Sequence, residues 1–514
     1  MQSKLVEQFF EWPVVVELNR VPLVSSNECN RVRCKVASLS AKLQHQSQKN
    51  SVTKNPSQRT LRRVKQRLRA EGKRYGLDVS FGPEGETSST SPEVISSALD
   101  DSNVSLRKYN KLRKCLKNTP SLYSVQKERR RQNIEVDRDI QTLENGSYRT
   151  IESIIQQVRP ETLRDGVIRV KFSADGANVG KFKTFTNFTI TFVDEVDSRI
   201  RGPHLIAIVE MCEKYDNVSD VLRKFDEEIG CLNQEAIVVG DVSRNVRVLF
   251  CADYKFLLIA LGMKAATSSN ACIYCKCKSG KYFHGPAEPR ESIRRGDPGT
   301  KLDNMLPNIN PEDIVIDVLH MYFRVSDRLF HRLVEQEAAD DAASRAALHA
   351  ALDALGLKGH LVCNDSGALE FSSLQSRDRD KLINAVVRGD FLQKVMLRAS
   401  AARVNMVRAL FAKFEKVMNI LKTCADGELV RVECITFLKM FLAIYQKNMV
   451  TPYIHILAYH VPDIVGRHGA LGAFNQQVVE KENHLVTSTF FSCTNYRSGS
   501  KHILRKTGRR LLLL

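Results

Sequence analysis

The middle of the chain sorts its apolar residues into two periods. Val167-Ile-Arg-Val-Lys-Phe-Ser-Ala-Asp175 alternates, with Ile168, Val170 and Phe172 on one side and Arg169, Lys171 and Ser173 on the other. That period of two predicts a strand ending on Asp175. Phe188–Val193 alternates again, and His204–Met211 is a nearly continuous apolar run suited to the centre of a sheet. Val218–Ile229 carries the helical period. Val246–Asp253 then predicts another strand ending on an aspartate, and a helix over Tyr254–Leu261 follows it directly.

Beyond residue 303 the period becomes mainly helical. Helices are predicted at Ile314–Ala338, in an Ala-rich stretch ending near Gly356, and at Arg377–Val387, Phe391–Lys422 and Leu429–Gln446. A last helix is predicted from Ala473 to about His484, before a tail bearing Lys501, Arg505, Lys506, Arg509 and Arg510. No internal repeat is found. The opening of the chain is of another kind: from Ala41 to about Ser105 it is rich in Ser, Gln, Asn, Lys, Gly and Glu, as a linker or disordered segment would be.

Charge sharpens this division. The 514 residues hold 77 Lys and Arg against 58 Asp and Glu, a net +19. Residues 1–150 contain 28 of the basic and 16 of the acidic side chains, so most of the excess lies there. Arg59, Arg62, Arg63, Lys65, Arg67 and Arg69 form a dense run in which Leu61, Val64 and Leu68 could make one stripe of a basic helix. Further basic stretches lie at Arg107–Lys114 and Lys127–Arg131. Such runs are either solvated charge around a linker or a surface that neutralises phosphates. No apolar run approaches the roughly 18 residues of a membrane span. Glu7 and Glu11 interrupt the apolar N-terminal stretch, unlike a signal peptide. The thirteen cysteines are mostly scattered singly and read as reduced core residues. The expectation is an intracellular protein of several domains that meets a polyanion.

Three strands, a helix, a strand and a helix predict the first part of a ribonuclease-H-like α/β core. Two strands ending on aspartates, with a late helix carrying Glu480, are what two-metal phosphodiester chemistry requires. Three carboxylates must converge to hold two divalent cations about 4 Å apart. Each residue also has a plainer reading. Asp175-Gly176 is a common turn, Asp253 is a natural cap for the helix that follows, and Glu480 alone would be a surface glutamate.

A second set has metal-ligand spacing. Cys272-Ile-Tyr-Cys275 is a Cys-x-x-Cys, and His455-Ile-Leu-Ala-Tyr-His460 is a His-x4-His. Together they could form a tetrahedral Cys2His2 centre, with 180 residues between its halves. That separation is unlike a zinc finger and would make a clasp joining the two ends of a helical insertion. The alternative is two reduced cysteines and two ordinary histidines. Cys277 is taken as a bystander, and His320 as a packed or capping residue rather than a ligand.

At these residues the chain resembles the catalytic core of the recombination-activating family. That family joins the large subunit of the V(D)J recombinase to the Transib-type cut-and-paste DNA transposases. The matching pieces are Phe172-Ser-Ala-Asp-Gly-Ala177, Ala252-Asp-Tyr-Lys255, Cys272-Ile-Tyr-Cys275, His455-x4-His460-Val-Pro462 and Gly469–Phe474 leading to Glu480-Lys-Glu-Asn483. The gaps of 19 residues from Asp253 to Cys272 and 20 from His460 to Glu480 agree as well. An Ile-Asp-x-Leu-His segment matches at Ile316–His320, with no catalytic role implied. Phe474 stands where the recombinase has a tryptophan. No RING finger and no counterpart of the recombinase's heptamer–nonamer reading apparatus is found.

The resemblance covers about residues 165–495. It implies that Asp175, Asp253 and Glu480 bind two catalytic Mg2+ or Mn2+ ions, and that Cys272, Cys275, His455 and His460 bind one structural Zn2+. The expected architecture is a basic N-terminal region at 1–150, the first part of a ribonuclease-H-like core at 151–262 and a zinc-bearing helical insertion at 263–470. A last core helix at 471–495 and a basic tail at 496–514 complete it. The expected function is that of a DDE-type DNA transposase or transposase-derived recombinase, nuclear and acting as a homodimer on double-stranded transposon ends. No small-molecule substrate and no membrane are expected. The alternatives are a domesticated, catalytically silent DNA-binding protein with the same fold, and an RNA or chromatin binder using the basic N-terminal segment alone.

Overall fold

A computed structural model describes residues 5–9, 12–17, 78–80, 91–101, 104–113, 119–158, 166–179, 183–338, 342–357, 359–363, 369–494 and 499–512. The basic run from Arg59 to Arg69, with Arg62, Arg63, Lys65 and Arg67, lies outside the described residues. The chain divides into two units, Met1–Leu99 with Val104–Arg129, and Asp100–Asn103 with Arg130–Leu514. The first contains an antiparallel sheet of β1 (Leu5–Phe9), β2 (Trp12–Glu17) and β3 (Asp78–Ser80). Most of α1 (Pro92–Asp101), α2 (Leu106–Arg113) and the start of α3 (Leu122–Asp137) also belong to it. These helices gather around buried Leu99, Tyr109 and Val125, and the Tyr109 hydroxyl donates to the Pro120 carbonyl at 2.8 Å.

The second unit is built on a seven-stranded mixed sheet. Its strands are β4 (Gln141–Leu143), β5 (Gly146–Tyr148), β6 (Ile168–Val179), β7 (Lys183–Phe192), β8 (His204–Val209), β11 (Val246–Ala252) and β12 (Ile314–Ile316). A separate hairpin, β9 (Ile237–Val239) and β10 (Val242–Arg244), precedes β11. The spatial order is β12-β11-β6-β7-β8-β5-β4. The pairs β6–β11 and β11–β12 are parallel, and the rest are antiparallel. Two expected boundaries therefore move. β4 and β5 precede residue 150 yet extend the sheet, and β12 joins it from inside the stretch assigned to the insertion.

The alternation read from the sequence places the core. Phe172, Phe188, Phe225, Phe250 and Phe256 are buried on one face, with ring centroids 5.1 Å apart for Phe172–Phe225 and 5.6 Å for Phe172–Phe250. Phe225 comes from α5 (Tyr215–Gln234) and Phe256 from α6 (Tyr254–Ala260), the helices that cover this face with α4 (Ile151–Gln157). A smaller cluster includes Phe185, Leu205, Ile208, Val486, Phe490, Ile503 and Leu504. It is closed by α15 (Gln477–Cys493) and α16 (Gly499–Leu511). The expected tail is thus a packed helix. Arg505 and Arg509 pair with Asp137 and Asp100 of their own unit.

Among the described residues, eight more α-helices and a short hairpin lie between α6 and α15. The helices are α7 (Val318–Leu333), α8 (Ala342–Ala354), α9 (Ser376–Arg388), α10 (Phe391–Val395), α11 (Ala401–Thr423), α12 (Gly427–Ile444), α13 (Pro452–Tyr459) and α14 (Val461–His468). The hairpin is β13 (Leu361–Cys363) with β14 (Leu369–Phe371). Two expected helices are divided. Ile314-Val-Ile316 is a β-branched run that pairs as a strand, and Asp317 starts the helix by accepting from the backbone N–H groups of Leu319 and His320. The Phe391–Lys422 stretch breaks before Ser400, whose hydroxyl accepts from the Arg403 N–H and begins α11. Ala473 does not begin the last helix: Leu471–Phe474 is a 3-10 turn and α15 starts at Gln477.

Phe172 touches three rings of this core, so Phe172→Ala is expected to cost about 3–5 kcal/mol. Chemical denaturation followed by circular dichroism would show this as a lowered midpoint.

Candidate functional site

The sheet brings three aspartates level. Asp253 and Asp317 directly follow β11 and β12, whereas Asp175 lies inside β6, which stays paired with β7 as far as Val179 instead of ending at the aspartate as expected. Phe172 pairs with Phe250, an offset of 78 positions which, carried three residues on, sets Asp175 beside Asp253. Ala252 pairs with Ile316, an offset of 64 which, one residue on, sets Asp253 beside Asp317. Residues level in parallel strands share a face, here the one opposite the phenylalanine core. Asp253 also caps α6, its Oδ1 accepting from the Phe256 N–H at 2.7 Å. The capping role and the place on the acidic edge coexist.

Glu480 reaches this edge because the turn before α15 is bound to three strands in succession. The buried Lys171 ammonium on β6 donates to the carbonyls of Ala473 and Asn475, both at 3.2 Å. The Gln476 side chain donates to the Cys251 carbonyl on β11 at 2.9 Å, and its backbone N–H to Asp317 Oδ1 at 2.9 Å. Glu480 then falls in the first turn of α15. One turn on, Asn483 donates from Nδ2 to Asp175 Oδ2 at 2.6 Å.

The acids share one field. Asp175 is pushed up to about 7, first by burial, then by the charges of Glu213 and Asp253, with Glu480 adding and His320 opposing. Asp253 is raised by burial and by Glu213, against the hydrogen bond from the Phe256 N–H. Glu480 is raised by burial, with His320 opposing and Asp317 adding. Asp175, Glu213, Asp253, Asp317 and Glu480 thus form one acidic edge, but among the described residues their oxygens are not drawn together as closely as the donors of a metal group.

Several participants carried no functional assignment from sequence. Glu213, in the turn between β8 and α5, is held by Lys255 at 2.7 Å. A Cβ at Gly176 would meet Glu213 Oε1 at 2.7 Å, so glycine there admits the carboxylate rather than leaving an open space. Asp317 is fully buried and accepts from His320 Nδ1 at 2.6 Å. Burial opposes charge on His320, but its bond to Asp317 and the charges of Asp317, Asp253 and Asp175 outweigh this and raise its pKa. The signal for Asp317 was present, a third apolar run ending on aspartate. Reading 314–338 as one helix concealed it. Glu213 has no periodic signal.

Among the described residues, Cys272, Cys275, His455 and His460 form a group whose donor atoms all lie within 4.8 Å of one another. All four are buried. The cysteines lie in the loop after α6, His455 lies on α13, and His460 at the junction of α13 and α14. His455 Nδ1 meets the Tyr282 carbonyl at 2.9 Å, so it carries the proton and Nε2 carries the lone pair. That Nε2 is 3.3 Å from Cys275 Sγ and 3.3 Å from His460 Nε2. A tetrahedron around an ion about 2.0 Å from each nitrogen has an edge of about 3.3 Å. Without an ion, a thiol or imidazole proton can bridge such contacts; with its donors converging this closely, the set could hold a metal ion such as zinc. The buried Arg290 supports the loop by donating to the carbonyls of Cys272 at 2.9 Å and Pro298 at 2.6 Å.

No protein-family model matches the chain, and no curated protein matches it at significant similarity. Among the described residues, no helix is long and apolar enough to cross a membrane.

Elemental analysis is expected to find about one zinc per chain. Structural zinc binds with roughly 10–16 kcal/mol in small domains, so Cys275→Ser is expected to lower the thermal midpoint as well as the zinc content.

The acidic edge has a pH signature. Because Asp175 is raised above its unfolded value to about 7, the folded state binds the extra proton. Its contribution to stability is full below the unfolded pKa and is lost as pH rises through about 7. Without added Mg2+ or Mn2+, the thermal midpoint is expected to fall between pH 5 and about 8. Asp175→Asn is expected to flatten that slope.

Proposed function

We propose that this protein is a DDE-type DNA transposase or transposase-derived recombinase, cutting DNA and joining the exposed 3′-hydroxyl to a new phosphodiester. The observation that carries the reading is the level placement of Asp175 and Asp253 on adjacent parallel strands, with Glu480 brought to the same edge by α15. The order of the sheet supports a ribonuclease-H-like core. Three antiparallel strands, β8-β7-β6, continue into the two parallel strands β11 and β12. The residues fit a pair of Mg2+ or Mn2+ ions by their chemistry: oxygen donors, partly buried, with clustered negative charge.

Such ions, when bound, activate the attacking water or hydroxyl and stabilise the departing 3′-oxygen. The chain's own residues prepare the site. Asp175 offers its carboxylate from within β6 and Asp253 from just past the end of β11, and the sheet keeps the two from moving independently. Glu480 adds the third from a helix whose entry is fixed by Lys171 and Gln476. Lys255 keeps Glu213 against Gly176, and the Asp317–His320 pair sets a proton-bearing ring beside the acids. His320 Nδ1 donates to Asp317, which leaves Nε2 as the ring atom that can exchange a proton.

The Cys2His2 group serves in this reading as a structural zinc clasp between the two ends of the helical insertion. The basic residues from Arg59 to Arg69 take the DNA phosphates, in a nuclear protein working as a homodimer on transposon ends.

The test is nicking of supercoiled plasmid with Mn2+, and of DNA bearing any inverted repeats that flank the coding locus. Asp253→Asn is expected to reduce cleavage by at least about a hundredfold, the upper range for losing a residue that merely supports a metal ligand. It should leave DNA retention in a gel-shift assay unchanged, since phosphate contacts come from Lys and Arg. DNA binding by the wild type without cleavage under either condition would favour the silent DNA-binding protein instead.

A further inference from the structure

Asp175 and Asn187 are direct partners across the β6–β7 ladder. Both are touched by one residue of α15. Asn483 donates from Nδ2 to Asp175 Oδ2 at 2.6 Å and accepts at Oδ1 from Asn187 Nδ2 at 2.7 Å. Asn187 is fully buried on the middle of its strand, and Asn483 is nearly so. The Asp175 carboxylate is the acceptor, so the Asn483 amide turns its nitrogen to it and its oxygen to Asn187 Nδ2. The Asn187 Oδ1 is buried without a partner, so Asn187 takes its orientation from Asn483.

We propose that Asn483 is a positioning residue that fixes the register of α15 on the sheet, and with it the place of Glu480 relative to Asp175 when the acidic edge takes divalent cations. This rests on the two-metal reading above. Glu480 and Asn483 are three apart and share a helix face, so the bonds made by one set the height and rotation of the other. The flanking residues make the arrangement selective. Slipping α15 by one position would offer Asp175 either the Glu482 carboxylate or the His484 ring in place of the amide. A carboxylate against a buried carboxylate is repelled, and the bond from Asn187 would lose its acceptor. The Asn187–Asn483–Asp175 chain therefore favours one register. Lys171 and Gln476 hold the turn before the helix, and Asn483 holds the helix itself.

The test is calorimetric titration of Mn2+ into the full-length, zinc-loaded chain without DNA, paired with thermal denaturation. Asn483→Ala is expected to weaken Mn2+ binding by about 10- to 100-fold, as losses of residues that orient metal ligands do. Asn483→Leu keeps a branched side chain of similar length and is expected to show the same loss, which separates positioning from packing. Asn187→Ala should act in the same direction. The double variant Asn187→Ala/Asn483→Ala should lose little beyond Asn483→Ala, because the two act in series. Both Asn483 variants with lowered thermal midpoints but wild-type Mn2+ affinity would overturn the proposal and leave the two-metal reading standing. A folded, zinc-loaded wild type that takes up no Mn2+ would overturn that reading, and this proposal with it.

Discussion

A buried ammonium governs the acidic edge. Lys171 lies on β6, an inner strand of the sheet, with its side chain shut from solvent, and burial presses its pKa down. Leaving such a group without acceptors would cost several kcal/mol. Its hydrogen bonds go to the carbonyls of Ala473 and Asn475, so those residues are required at that spot, some three hundred positions away in the chain. Once they are there, Gln476 meets Cys251 and Asp317, and α15 can start in only one place. The position of Glu480 is thus inherited from the need to satisfy a buried lysine on another element.

The Cys2His2 group and the acidic edge differ in burial and in donor type. The first is buried on all four members, with one imidazole oriented by the Tyr282 carbonyl and the cysteine loop supported by Arg290. The acids are half-buried and burdened by mutual repulsion. A closed set of sulfur and nitrogen donors suits an ion that stays, whereas the half-open acids would, in the proposed reading, take ions that also meet a substrate.

Much of this was legible from hydrophobic period alone, and the failures have particular causes. β6 and β11 declared themselves through short apolar-rich runs reaching Asp175 and Asp253, although β6 continues to Val179, where Gly176, Ala177 and Asn178 carry no strand signal. β12 did not, because three β-branched residues precede a long amphipathic helix and the helical period absorbed them. The break before Ser400 was likewise hidden inside a continuous helical pattern, since a serine cap is a local event that leaves the period intact. Lys171 had the sequence signature of an outward-facing strand lysine. Its burial depends on a turn supplied from residues 473–475, which no local pattern announces. Asn483 was visible only as part of a matching motif. Its partners Asn187 and Asp175 face each other because of a strand pairing that the sequence does not state.

The 20-residue interval between His460 and Glu480 acquires a physical meaning from this arrangement. His460 is at once a member of the Cys2His2 group and the residue from which α14 departs. The far end of α14 is bound back to the sheet: Arg169 on β6 donates to the His468 carbonyl at 3.3 Å, and the His468 ring meets the Glu312 carbonyl at 2.8 Å. The next fixed point is the turn held by Lys171 and Gln476, and the next is Glu480. Each segment is anchored at both ends, so little slack is left in the path. An ion that tightened the four donors would fix the start of that path, while the sheet fixes its end. Lengthening or shortening it by one residue would have to be absorbed against Arg169, Lys171 or Asn483. The spacing is the length of chain that runs from the Cys2His2 group to the acidic edge across the strands β6 and β11.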